Sequence, residues 1–126
     1  MFADTSGLAA FADHRQTYHA LAAELMSRAC DEGRLVVTTN YVLAELTALL
    51  ASPLRVPRSQ QIAFLTDLRA ADWVEVISLD AALEAAAWQL WEARADKEWS
   101  FVDCASFIVM QRRGLTEALT SDHHFE

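Results

Sequence analysis

The stretch GRLVVTTNYVLAELTALLASP, residues 33–53, decides the fold. Gly33 is a helix stop of the kind that ends the segment before it. Leu35-Val36-Val37 is a short, uninterrupted apolar run, the pattern of a strand buried on both faces. Thr38, Thr39 and Asn40 follow at once, and all three are good helix caps. A helix is predicted from Tyr41 to Ala51, and Pro53 ends it. A strand buried on both sides that runs straight into a capped helix is one unit of a parallel α/β sheet.

The rest of the chain repeats that unit. Met1 to Asp4 forms a first short strand, followed by a turn at Thr5-Ser6-Gly7. A helix is expected from about His14 to Asp31, with Tyr18, Leu21, Ala22 and Leu25 on one face. A further helix spans Pro57 to Ala70, with proline at its first turn. Trp73 to Ile77 is a third strand. Asp80 caps a long helix to about Ala95, whose inner stripe includes Leu83, Ala86, Ala87 and Leu90. Ser100 opens a very apolar helix that Gly114 closes. Glu117 to Thr120 is a fourth strand. The expected architecture is a single α/β domain over residues 1–126, with a central parallel sheet between helices.

Composition narrows the function. The chain has 126 residues, 53% of them hydrophobic, and only 3 glycines and 2 prolines, so one well-filled core is expected and long linkers are not. Its 18 acidic against 10 Lys and Arg residues give a net charge of −8. A surface that grips nucleic acid everywhere needs clustered cations, so that class is excluded. A local acidic site that reaches phosphate through metal ions is compatible with −8, and so is a basic partner that covers the acids. Cys30 and Cys104 are expected as reduced, buried thiols of a cytoplasmic protein. No basic leader precedes an apolar run, and charges break every apolar stretch before it could span a bilayer, so neither a signal peptide nor a membrane contact is expected.

In open parallel sheets, ligands bind beyond the carboxyl ends of the strands. Four acids are expected there. Asp4 closes the first strand and Asp122 follows the fourth. Glu45 and Asp103 lie near the starts of two helices, whose side chains tilt toward the same edge. Four clustered carboxylates repel one another unless a cation is present. Oxygen-only ligands suit Mg²⁺ or Mn²⁺, which activate water and neutralise phosphate charge in phosphodiester hydrolysis. Each acid also has an ordinary explanation: a turn at Asp4, an exposed helix position at Glu45, a capping box of Ser100 with Asp103, a loop at Asp122.

The local sequences carry more than the spacing. DTSGLAAF from Asp4, TTNYVLAEL ending at Leu46, SFVDCASFIVM from Ser100 and ALTSDHHF ending at Phe125 resemble the four PIN-domain motifs, in the family's order and across nearly the whole chain. The chain is most similar to VapC-type toxins of VapBC toxin–antitoxin pairs. That resemblance implies a three-layer α/β/α fold and a metal-dependent endoribonuclease, with Asp4, Glu45, Asp103 and Asp122 as the acidic quartet. Asp4, Asp103 and Asp122 would contact Mg²⁺ or Mn²⁺, and Glu45 would help position the attacking water. Thr5, Ser6 and Ser121 match the small polar positions that support the acids, and Asp96 is a nearby charge rather than a ligand. The implied partners are an RNA substrate, a cognate antitoxin that inserts a basic residue near the acids, and a second copy of the chain. Family members commonly continue past the fourth motif into a last strand, whereas this chain stops at Glu126, so that strand is expected to be missing or trimmed.

Other residues are weighed more lightly. His123 and His124 adjoin Asp122 without the spacing of a histidine metal site. His14 and His19 read as solvated helix residues. Trp73, Trp88, Trp91 and Trp99 read as packing residues, with base stacking as the alternative. Arg55, Arg58 and Arg69 around Pro53, with Arg112 and Arg113 at a helix end, are a solvated face or an RNA path beside the acids. The rival functions are a non-catalytic PIN-like binding module that works through Tyr41 to Leu68, a receiver domain and a dehalogenase-like phosphatase. The last two lack their required residues: the one lysine, Lys97, follows no strand, and position 6 is serine rather than a second acid.

Overall fold

The computed structural model describes residues 1–121. Among these residues, four strands are separated by pairs of helices: β1 (Phe2–Ala3), α1 (Thr5–Ala12), α2 (His19–Asp31), β2 (Val36–Thr39), α3 (Asn40–Ala51), α4 (Arg58–Ala70), β3 (Val74–Ile77), α5 (Ala81–Ala93), α6 (Phe101–Arg112) and β4 (Ala118–Leu119). All strand pairs are parallel, and the order across the sheet is β3-β2-β1-β4. The predicted α/β architecture is therefore the observed one. The chain steps outward from β1 to β2 to β3, then returns to the other side of β1 for β4. The strand order reverses between β1 and β4, and a crevice opens at such a reversal.

Register locks that reversal point. Phe2 is opposite Val37 on one side and Ala118 on the other, and Ala3 is opposite Leu119. The Asp4 amide donates to the Leu119 carbonyl at 3.2 Å, so β4 and the end of β1 finish together. The core lies around these central strands. Phe2, Val36, Val37, Leu8, Met26, Val42, Leu46 and Leu50 are all buried. In the apolar run Leu35-Val36-Val37, the two valines are buried as the pattern implies, but Leu35 precedes the strand and is 40% exposed, and β3 at the sheet edge is only half-buried. Among the described residues, no helix is long and apolar enough to cross a membrane.

Four local expectations are corrected. Thr5-Ser6-Gly7 is the first turn of α1 rather than a free turn, because Asp4 caps it and Leu8 to Ala10 then bury their side chains. The second helix starts at His19, not His14. The Asp13 side chain binds the Arg15 amide at 3.1 Å and Gln16 Nε2 at 3.2 Å, which holds that segment in a turn. Tyr18 and Leu21 are consequently exposed instead of packed with Ala22. Cys30 is exposed; Cys104 is buried, and burial raises its thiol pKa.

Candidate active site

Asp4 is built into the start of α1. It is 5% exposed. As N-cap, its Oδ1 accepts from the Gly7 amide at 2.8 Å and from Ser6 Oγ at 2.9 Å. Thr120 Oγ1, just past β4, donates to Asp4 Oδ2. Ser6 Oγ in turn accepts from the Ser121 amide at 2.9 Å. The end of β4 is therefore tied to the carboxylate that ends β1. Gly7 makes this possible: a Cβ there would lie 2.0 Å from the Leu119 carbonyl oxygen. Only glycine lets α1 approach β4 so closely.

The second motif is held as firmly. Thr38 Oγ1 donates to the Ala3 carbonyl at 2.9 Å, inside the core. Thr39 caps α3 by accepting from the Val42 amide at 3.1 Å. The polar pair after the valines thus fastens β2 to β1 and starts the helix that carries Glu45. In the third motif, Ser100 and Asp103 form a complete capping box, with Ser100 Oγ accepting from the Asp103 amide and Asp103 Oδ2 accepting from the Ser100 amide. The ordinary explanation of Asp103 is correct and does not displace the other one. The box uses Oδ2 and orients the side chain at the first turn of α6.

These three segments converge. Asp4, Thr5, Ser6, Glu45, Leu49, Val102, Asp103 and Ser106 line one cleft of about 160 Å³. Three of the four expected acids, from positions 4, 45 and 103, meet at the reversal point of the sheet. The fourth, Asp122, lies outside the described residues, as do His123 and His124. Ser121 is described and reaches the cluster through Ser6. Asp96 is elsewhere, in an exposed bidentate pair with Arg94 that lowers its pKa.

The donor chemistry fits a hard divalent cation, since the acids and hydroxyls at the cleft offer oxygen alone. Thr5 adds a second indication. Its Oγ1 is buried and finds no hydrogen-bond partner among the described residues, a costly state that a ligand or water at the cleft would relieve. As the side chains lie, no group of three or more His, Cys, Asp or Glu among the described residues is drawn tightly enough to hold an ion. Asp4 and Asp103 instead use oxygens on their own caps.

The arginines are spread out. Arg112 and Arg113 sit at the far end of α6, roughly 15 Å from Asp103 by helix rise. Arg113 is clamped to Glu75 of β3 at 2.7 and 2.8 Å, which lowers the Glu75 pKa. Arg58 lines a groove between α3 and α4 with Arg69, and Arg55 lies in the segment before α4. None of these five arginines lines the acid cleft. Two residues that do serve the site were not singled out from sequence. Ser106 follows Asp103 by one helical turn, so its placement was readable from the spacing. The Thr120 hydroxyl reaches Asp4 across 116 positions, and no local signal marks it.

The PIN domain matches this sequence over residues 1–126. The chain belongs to the PIN-domain family. One similar PIN-domain protein is the 23S rRNA-specific endonuclease VapC20 of Mycobacterium tuberculosis, from strains CDC 1551 / Oshkosh and ATCC 25618 / H37Rv. It is 34% identical over 126 residues, which cover 99% of this chain and 91% of that protein. The crystal structure of Mycobacterium tuberculosis VapC20, described there as a sarcin–ricin loop cleaving toxin, superposes with a TM-score of 0.86 at 32% identity. It covers 98% of this chain and 91% of that one. The three-layer α/β/α PIN fold expected from the motifs is the fold that the four-stranded parallel sheet and its helices form.

Proposed function

We propose that this chain is a divalent-metal-dependent endoribonuclease, the toxin of a type II toxin–antitoxin pair, that cuts a looped segment of ribosomal RNA. One observation carries the reading: Asp4, Glu45 and Asp103, from three distant segments, line a single cleft where the strand order reverses. The likeness to a 23S rRNA-specific endonuclease supports the substrate class. A Mg²⁺ or Mn²⁺ ion held there supplies positive charge beside the scissile phosphate and makes water a better nucleophile.

The residues divide the work. Asp4, Asp103 and Asp122 hold the ion directly or through water. Glu45 orients the attacking water. Ser6, Thr120 and Ser121 fix the Asp4 rotamer, and Thr5 Oγ1 binds water or a phosphate oxygen. One PIN domain over residues 1–126 is the working unit. Arg55, Arg58, Arg112 and Arg113 are the candidate phosphate contacts outside the cleft. The net charge of −8 suits a cognate antitoxin with a basic residue over the acids. The active form is a homodimer in the cytoplasm, where ribosomes are.

The test is cleavage of a sarcin–ricin-loop RNA hairpin and of an unstructured RNA by the purified chain with Mg²⁺, Mn²⁺ or EDTA. The expected result is metal-dependent scission of the hairpin that Asp103→Asn abolishes. Equal cleavage by that variant, or cleavage that persists in EDTA, overturns the reading.

A further inference from the structure

A run of aromatic rings begins on the two helices that carry Glu45 and Asp103. Tyr41 precedes Glu45 by one turn of α3, and Phe101 opens α6 two residues before Asp103. Their rings meet edge to face, 5.5 Å apart. Trp88 of α5 stacks on Phe101 with centroids 4.0 Å apart and planes at 27°. Trp91, one turn further along α5, meets Trp88 edge-on at 5.7 Å. Four rings in contact therefore connect the helices that bear two cleft acids to a tryptophan pair on the surface.

Packing accounts for the inner rings, which are half-buried, but not for the outer ones. Trp88 is 42% exposed and Trp91 46% exposed. Two of the largest apolar side chains thus stand side by side in water, on a chain with ample smaller residues for a helix surface. Cations lie further along the same segment. The Arg94 guanidinium is 5.2 Å and the Lys97 ammonium 5.8 Å from the centroid of the Trp99 ring.

We infer that Trp88 and Trp91 are a stacking platform for the bases of the RNA strand whose phosphate occupies the acid cleft. This rests on the ribonuclease reading above and adds what holds the strand beside the cleft. Looped RNA presents unstacked bases, and aromatic faces are what such bases bind. Stacking does not depend on net charge, which matters for a chain at −8 whose phosphate contacts are limited. The contact run from Phe101 to Trp88 makes the platform continuous with the helix turn that carries Asp103, so bases near the cut are the ones it reaches. The tryptophans touch bases, not the reacting atoms. They are substrate-binding residues, and their loss acts on RNA binding rather than on the chemical step.

The test uses the full chain with Asp103→Asn, which retains uncut RNA. It compares a fluorescein-labelled single-stranded oligonucleotide with the same strand lacking the bases on either side of its central phosphate. Binding is read by anisotropy and tryptophan emission. The base-bearing strand is expected to bind about tenfold more tightly and to quench emission. Trp88→Ala with Trp91→Ala should erase that preference, and Trp88→Phe with Trp91→Phe should restore most of it. In the cleaving parent the alanine pair should raise KM and leave kcat nearly unchanged.

Equal binding of the two strands by the Asp103→Asn chain overturns the proposal. So does an unchanged strand preference in the alanine pair, and a shift in its oligomeric state by light scattering would then make this face a contact between copies. Cleavage is scored separately. Base-dependent binding without any cleavage leaves the platform standing and removes the nuclease reading; cleavage without base dependence does the reverse.

Discussion

The two ends of α1 each carry a buried aspartate, and the two are used differently. Asp13, at the C-terminal end, is 3% exposed and is gripped by the Arg15 guanidinium through Nε at 2.9 Å and Nη2 at 3.1 Å. Those hydrogen bonds hold its carboxyl well below the usual range, against the opposing effect of burial. Arg15 also donates to the Leu54 carbonyl, which ties this end of α1 to the segment before α4. Asp4, at the N-terminal end, accepts from an amide and two hydroxyls and shares its cleft with Glu45 and Asp103. A buried carboxylate with a guanidinium partner fastens the fold. A buried carboxylate that shares a cleft with two other acids is, on the proposed function, the one that a metal ion would neutralise.

The strongest way to break this comparison is at the acid cleft. Asp4→Asn keeps an N-cap of equal quality, so melting should change little, while RNA cleavage should fall by about a hundredfold or more. A cleaving Asp4→Asn enzyme would remove the distinction between the two aspartates. Gly7→Ala comes next. Its Cβ would collide with the Leu119 backbone, so stability should drop by about 1–3 kcal/mol in a urea melt, and cleavage should fall with it because Asp4 and Thr120 separate. An unchanged melt would show that α1 can move away from β4 freely.

Asp13→Asn should have the opposite profile to Asp4→Asn. It should cost about 1–2 kcal/mol at neutral pH with little direct effect on chemistry. The sign of its pH dependence follows from the lowered pKa. The pairing stabilises the fold above the ordinary carboxylate range and is lost as pH falls through the lower folded value. The gap in melting temperature between parent and variant should therefore be widest at neutral pH and close in strong acid. A gap that widened with acid would contradict the pairing. The smallest effect is expected from Glu75→Gln, which loosens the surface clamp to Arg113. It should cost less than about 1 kcal/mol, and less still in high salt.

Local signals carried most of the element order. Val36-Val37 with Thr38 and Thr39 announced a buried strand running into a capped helix, and the Ser100–Asp103 spacing announced a capping box; both are present. The first turn of α1 was missed because Thr5-Ser6-Gly7 also has the composition of a turn. What decides for the helix there is the Asp4 cap together with burial of Leu8, Ala9 and Ala10 in the core. The late start of α2 was missed for a related reason, since Asp13 finds a better partner in Arg15 than the helix offers.

The candidate site divides in the same way. The acids at positions 4, 45 and 103 could be singled out from motifs in order, because each of those motifs carries a strand end or cap and its carboxylate within about ten residues. The sequence by itself determined the parallel α/β class, the helix starts that aim Glu45 and Asp103, and the residue types able to bind a hard cation. Those are properties of side-chain period and of hydrogen bonds three or four residues long. Only the tertiary structure decided that positions 4, 45 and 103 share one cleft and that Thr120 reaches Asp4. It alone set Arg113 on Glu75 and left Trp88 and Trp91 in water. Those outcomes depend on strand order and helix packing, which bring together groups that no local pattern relates.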